Sequence, residues 1–367
     1  MTLKRTPLYE NHVAAGAKMV DFGGFEMPLK YSTETAEHMA VRTGVGVFDV
    51  SHMGEVFIEG KGALAALQRL VTNDAAKIKD GQAMYAGLLN ERGGFVDDVI
   101  VYRFSPEKFL VCVNAGNQDK DFAWMRDAVA SFACTVDNQG PQWAQLAVQG
   151  PKAVDVVASL CGASVRAIEG YHFAEGVITL GPRRAVGLIA RTGYTGEDGF
   201  ELYVHNADAP ALWDAVVAAG AVPCGLACRD TLRLEAGMCL YGNDIDDDVT
   251  PLEANLGWIV KLADRPPFIG QEALAAQKAA GVPRLLRGLV MVERGIARHG
   301  YDVVDAAGQK VGTVTSGTQA PFVNKAIAFA YLDRAHADVG NTVFVSIRDK
   351  PVKAAVQKLP FYKRSQS

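Results

Sequence analysis

The chain has 367 residues, of which 49% are hydrophobic and 21% charged, and a formal net charge of −4 at pH 7. That balance belongs to an ordinary folded globular protein, and the length fits two or three domains. A mildly acidic chain excludes broad electrostatic binding to nucleic acid or anionic membranes, and no apolar run reaches the ~18 residues a membrane helix needs.

The opening Met1-Thr2-Leu3-Lys4-Arg5 has neither the apolar core of a secretion signal nor the Arg- and Ser-rich stretch of an organellar one, so a cytoplasmic location is expected. As far as about residue 49 short apolar runs alternate with glycines, and 34–42 reads as a helix. Leu64, Leu67, Leu70 and Val71 give residues 60–73 helical spacing. Residues 95–104 and 109–113 are β-rich runs separated by Ser105-Pro106-Glu107-Lys108, a four-residue turn. Strands are predicted at 185–191 and 199–204, and helices at 207–219 and 227–240. From about residue 285 the texture changes to short strands at 286–292, 302–304, 311–315, 326–332, 342–347 and 352–358, the pattern of a small all-β barrel or sandwich. Asp264-Arg265-Pro266-Pro267 and Gly281-Val282-Pro283 are joints before it. The expectation is an α+β body over residues 1–280 and a C-terminal β domain over 283–367.

Three segments can carry chemistry. In Gly93-Gly94-Phe95-Val96-Asp97-Asp98-Val99-Ile100-Val101-Tyr102, strand alternation puts Asp98, Ile100 and Tyr102 on one face and Asp97, Val99 and Val101 on the other. Adjacent carboxylates at the head of an apolar strand either cap the turn after Gly93-Gly94, or place one acid at the mouth of an apolar cleft for proton transfer. On the facing strand Cys112 and Asn114 share a face, as residues lining a floor would. In Arg191-Thr192-Gly193-Tyr194-Thr195-Gly196-Glu197-Asp198-Gly199-Phe200-Glu201, three glycines at three-residue intervals allow close backbone approach by a ligand. The loop lacks Gly-Lys-Ser/Thr and contains two acids, which argues against phosphate. A flat heterocycle suits it better, with Tyr194 stacking and Glu201 accepting two N–H bonds. In the third segment, 228–238, Arg229 and Arg233 lie four apart on one helix face, either for surface salt bridges or to bind a carbonyl or carboxylate.

No metal is expected. The six cysteines (112, 134, 161, 224, 228 and 239) are scattered, and Cys224 and Cys228 form a C-x3-C with no second Cys or His pair, so they read as buried, reduced thiols. The seven histidines show no ligand spacing. Ser51-His52 looks superficially like a hydrolase pair, but adjacent strand residues face opposite ways.

Taken in order, these segments resemble the aminomethyltransferase (T-protein) family of the glycine cleavage system. The likeness runs nearly end to end, through Thr6-Pro7-Leu8-Tyr9, residues 19–28 (Met-Val-Asp-Phe-Gly-Gly-Phe-Glu-Met-Pro), Phe48-Asp49-Val50-Ser51-His52-Met53-Gly54, residues 240–246 (Leu-Tyr-Gly-Asn-Asp-Ile-Asp), Thr315-Ser316-Gly317-Thr318 and Pro360-Phe361-Tyr362. The resemblance implies a three-domain cloverleaf folate-binding body with a C-terminal small β-barrel, tetrahydrofolate as co-substrate, and the lipoylated H-protein as partner. It places the catalytic aspartate at Asp98 and folate contacts at Tyr85, Asp98, Ile100, Tyr102, Cys112, Asn114, Tyr194, Glu201, Arg229 and Tyr362. Phe25, Met238 and residues 319–323 depart from the usual family pattern, which bears on ligand packing more than on chemistry. The Lys-Gly-Cys-Tyr start of a related folate-protein motif is missing before Gly270-Gln271-Glu272.

Overall fold

The structure, a computed structural model, describes residues 2–364. The described residues divide into two units, one of 2–86, 97–193 and 197–229, the other of 87–96, 194–196 and 230–364.

In the first unit a six-stranded sheet runs Phe173–Leu180, Arg183–Ala190, Gly199–His205, Trp143–Gln149, Gly46–Asp49 and Val222–Pro223. Its central strand Gly199–His205 shows how alternation works when both faces are covered. Phe200, Leu202 and Val204 pack with Leu212, Trp213 and Val216 of helix Ala209–Ala218 and with Val156 and Val157 of helix Ala153–Cys161. Glu201 and Tyr203 therefore point the other way. On that side Tyr203, Leu188 and Ala190 meet Phe57, Tyr102, Leu110 and Cys112 of a five-stranded sheet. This second sheet runs Gln82–Leu89, Phe95–Ser105, Lys108–Val113, Gly54–Glu59 and Thr135–Asn138. Glu201 thus faces the five-stranded sheet because its two neighbours in sequence are needed by the helices.

In the second unit six strands close into a barrel in the order Arg284–Met291, Lys325–Asp333, Lys310–Ala320, Asp302–Val304, Thr342–Ile347 and Lys350–Gln357. The run from Ala326 to Leu332 is apolar throughout because both of its faces are buried. Ala326, Ala328, Ala330 and Leu332 fill the barrel with Val303, Val343 and Val345. Ile327, Phe329 and Tyr331 face outward into a separate core with Leu234, Ile245, Phe268 and Leu274.

The α+β character and the closed barrel agree with the sequence, and the departures have local causes. The hairpin after Phe95–Ser105 is tighter than a four-residue turn: Ser105 pairs with Lys108, leaving Pro106-Glu107 as the loop, and an irregularity between Arg103 and Ser105 takes up the slack. The strand foreseen at 311–315 continues to Ala320 through a shift between Val314 and Ser316. The helix foreseen at 227–240 is Leu226–Glu235, so Cys228 lies inside it; it stops before Gly237, whose φ of +75° ends helical geometry. Helix Gln118–Ala128 was not foreseen: it buries only Asp121 and Met125 and has no side-chain cap. Among the described residues no helix is long and apolar enough to cross a membrane.

Candidate active site

The two acids on strand Phe95–Ser105 have different environments. Asp97 is fully buried and accepts three N–H bonds, from the Asn114 backbone (2.9 Å), Asn114 Nδ2 (2.9 Å) and Asn117 Nδ2 (2.8 Å). Asp98, one residue on and facing the opposite way, keeps contact with solvent. Its carboxylate takes the Tyr85 hydroxyl at 2.9 Å and Asn114 Nδ2 at 2.8 Å. Neither caps the turn after Gly93-Gly94. Asn90 does that, its Oδ1 accepting from Arg92 N (2.9 Å) and Gly94 N (3.2 Å). Burial and then repulsion from Asp97 raise the Asp98 pKa to about 7, against the lowering effect of Tyr85 and Asn114. A half-buried carboxyl poised near neutrality can hold or release a proton at working pH.

From Asp98 the same sheet face continues to Ile100, which pairs directly with Cys112. Cys112 Sγ lies 3.8 Å from Gln145 Oε1, and Gln145 Nε2 donates to Glu201 Oε1 at 3.0 Å and to Tyr203 at 2.9 Å. Glu201 Oε2 accepts from the Thr192 hydroxyl, and the Tyr102 hydroxyl lies between Thr192 (3.3 Å) and Tyr203 (3.0 Å). Burial raises the Glu201 pKa, while Thr192, Arg229 and Gln145 oppose the rise. Eight of the ten sequence-predicted positions therefore lie in one unit: Tyr85, Asp98, Ile100, Tyr102, Cys112, Asn114, Glu201 and Arg229. Tyr194 and Tyr362 lie in the other. There Tyr194 donates to the Cys239 carbonyl, and Tyr362 stacks edge-on against Phe322 at 5.2 Å.

Sequence reasoning missed Gln145 and Thr192, the two residues that hold Glu201. The signal was present: Gln145 and Gln149 are the polar interruptions of an otherwise apolar strand, four apart and therefore on one face.

Several readings of the loop and helix change. Gly193 and Gly199 make room for Gln149 rather than for a ligand, since a Cβ at Gly193 would stand 2.0 Å from Gln149 Oε1, and one at Gly199 2.5 Å from its Nε2. The loop's acids are occupied: Glu197 pairs with Arg42 at 2.9 Å and Asp198 takes Arg191 through both oxygens. Arg233 is not available to a ligand. It is 1% exposed and held by Asp230 (2.8 Å), Asp244 and Ser316 (2.7 Å). Replacing Arg233 with Met should lower stability by about 3–5 kcal/mol, since it leaves Asp244 buried without its cation; denaturant melting measures this, and an unchanged midpoint would refute the structural role.

The Ser51 hydroxyl is engaged with the Gln145 backbone at 3.1 and 3.3 Å. His52 is pressed between Phe22 and Phe25 with its pKa pushed down to about 4, chiefly by burial. The Cys224 thiol donates to backbone carbonyls of Val222 and Glu37, and among the described residues no group of three His, Cys, Asp or Glu side chains could hold a metal.

The first unit thus carries a carboxyl with its pKa raised to about 7 on the five-stranded sheet and, on the six-stranded sheet packed against it, a buried glutamate held by Gln145 and Thr192. Residues 8–264 match the GCVT N-terminal domain, and residues 284–363 match the glycine cleavage T-protein C-terminal barrel domain. The aminomethyltransferase of Desulfitobacterium hafniense is 49% identical over 366 residues, covering 99% of each chain. That of Geobacillus kaustophilus is 47% identical over 368 residues, covering 99% of this chain and all of the other. The crystal structure of glycine cleavage system aminomethyltransferase T from Bartonella henselae superposes with a TM-score of 0.90 at 37% identity, covering 98% of each chain. The chain belongs to the glycine cleavage T-protein family of aminomethyltransferases.

Proposed function

We propose that this enzyme transfers the aminomethyl group carried on the reduced lipoyl arm of an H-protein to tetrahydrofolate. The products are 5,10-methylenetetrahydrofolate, ammonia and dihydrolipoyl H-protein. The observation that carries the reading is the inequality of the paired acids: Asp97 is engaged by three N–H donors, and Asp98, half-buried, has its pKa raised to about 7.

The residues fit the co-substrate. A carboxylate has about four acceptor sites, so Glu201 can take a pair of N–H groups from a pterin edge while Gln145 and Thr192 hold it in place. The buried Tyr102 and Cys112 and the half-buried Ile100 would form the apolar side of the ring site. Arg229 would keep Glu201 ionised, and Tyr85 and Asn114 would aim Asp98. The resemblance to the family assigns folate contact to Tyr194 and Tyr362 as well. When bound, tetrahydrofolate supplies the nitrogens that take up the one-carbon unit.

Asp98 would act by charge. Its ionised form is disfavoured by burial and by Asp97, so a cationic charge building on the carbon as ammonia departs relieves that penalty. This is stabilisation that grows towards the transition state. Positioning the two reactants supplies a further share, up to about 7–11 kcal/mol in well-oriented systems.

We assign the folate-binding body to residues 1–280, the barrel domain to 283–367, and the enzyme to the cytoplasm. The test is ammonia release from lipoylated, aminomethylated H-protein with tetrahydrofolate. Ammonia formed in step with methylenetetrahydrofolate supports the reading; no turnover with this donor would overturn it.

A further inference from the structure

Helix Gln118–Ala128 carries a residue that neither the chemistry above nor the fold accounts for. Asp121 is fully buried, and neither of its carboxyl oxygens receives a hydrogen bond. The nearest cation, Lys120 Nζ, stands 3.9 Å away, beyond hydrogen-bond reach. What lies within reach is another acid, Asp97. Two carboxylates in contact inside a protein cannot both be ionised, so the pair holds one proton.

The donors decide where that proton sits. Asp97 accepts three N–H bonds and Asp121 accepts none. N–H donors favour the ionised form of the acid they reach. The proton therefore belongs to Asp121, whose O–H then supplies Asp97 with a fourth donor. The Asn114 amide links this pair to the reactive acid, since its Nδ2 contacts Asp97 Oδ1 at 2.9 Å and Asp98 Oδ1 at 2.8 Å.

We propose that Asp121 is a positioning residue for Asp98: it stays protonated at neutral pH and donates to Asp97, keeping Asp97 an anion that fixes Asn114 against Asp98. The charged and titratable groups facing Asp121 are Asp97, Asp98 and Lys120, and those facing Asp98 are Asp97, Asp121 and Tyr85. Burial and then Asp97 push the Asp121 pKa up to about 11, in keeping with the donor count.

The arm of the test that uses transfer activity rests on the function proposed above; the spectroscopic arm does not. Infrared difference spectra of the ligand-free full chain at pH 8, wild type against Asp121→Asn, should show the C=O stretch of a protonated carboxyl that the variant lacks. In the transfer assay Asp121→Asn, which keeps an N–H donor toward Asp97, should hold kcat within about threefold and leave the pH profile in place. Asp121→Leu removes the donor, and the three N–H bonds leave Asp97 an anion with one partner fewer to spread its charge and hold its orientation. Its repulsion of Asp98 should grow and the grip of Asn114 loosen, so the acid limb of kcat should move to higher pH by about half a unit, with kcat down about tenfold.

A wild-type spectrum without the band would overturn the proposal, as would an Asp121→Asn profile shifted as far as that of Asp121→Leu. If Asp121→Leu does not fold, the band and the Asp121→Asn profile still decide. A band in a chain with no transfer activity supports the proton on Asp121 while removing the functional reading.

Discussion

Asp98→Asn should fold, bind tetrahydrofolate within about threefold of wild type, and lose roughly 10²–10⁴ in kcat, the usual size of a lost acid–base or charge-stabilising group. The substitution keeps the shape that Tyr85 and Asn114 hold, so binding survives while the charge is lost. The acid limb expected near pH 7 for the wild type should vanish with it.

Stability changes in the opposite sense. The folded-state pKa of Asp98 is raised from 3.8 to about 7, so folding is unpenalised below the lower value and loses stability as pH rises through the upper one. Asparagine does not titrate. The variant should therefore match wild type in thermal midpoint at pH 3.5 and exceed it at pH 8. Near-normal turnover in Asp98→Asn would remove this residue from the chemistry, and a midpoint unchanged at pH 8 would show that its burial carries no penalty.

The second large effect is on binding. Glu201→Gln replaces an acceptor pair with one acceptor and one donor, so one of two pterin N–H groups meets an N–H. It also removes the anion that balances Arg229. A hydrogen bond to a charged group is worth about 1.5–3 kcal/mol, so tetrahydrofolate affinity should fall roughly 10- to 100-fold. Turnover at saturating folate should fall far less, since Glu201 is not placed at the reacting atoms. Calorimetry separates the two, and an unchanged Kd would refute the placement of the pterin edge at Glu201.

The barrel was readable because its strands are short, β-rich and punctuated by turns. Strand alternation gave the face shared by Asp98, Ile100 and Tyr102. It did not say which acid reaches solvent, because that depends on Asn114 and Asn117, which arrive from beyond the neighbouring strand. The likeness to a family chose Asp98, and the three N–H bonds that occupy Asp97 favour the same choice. Arg229 and Arg233 looked equivalent because one helix turn separates them; Asp244 and Ser316, remote in sequence, claim Arg233. Gly193 and Gly199 read as ligand space because flexibility is visible in sequence, whereas the side chain that fills the space, Gln149, is not. Asp121 was invisible for a related reason: a charged residue on an amphipathic helix reads as solvated unless something shows that its face is turned inward.

The strand Lys325–Asp333 belongs to two cores at once, with alternate residues inside the barrel and outside it. No partial opening can expose one of those cores without stripping support from the other. The backbone amides of residues 326–332 should accordingly be among the last to exchange in deuterium, released only when the second unit opens as a whole. A lesion such as Phe329→Ala should reach the barrel interior that its side chain never touches, lowering the protection of Ala328 and Ala330 along with its own.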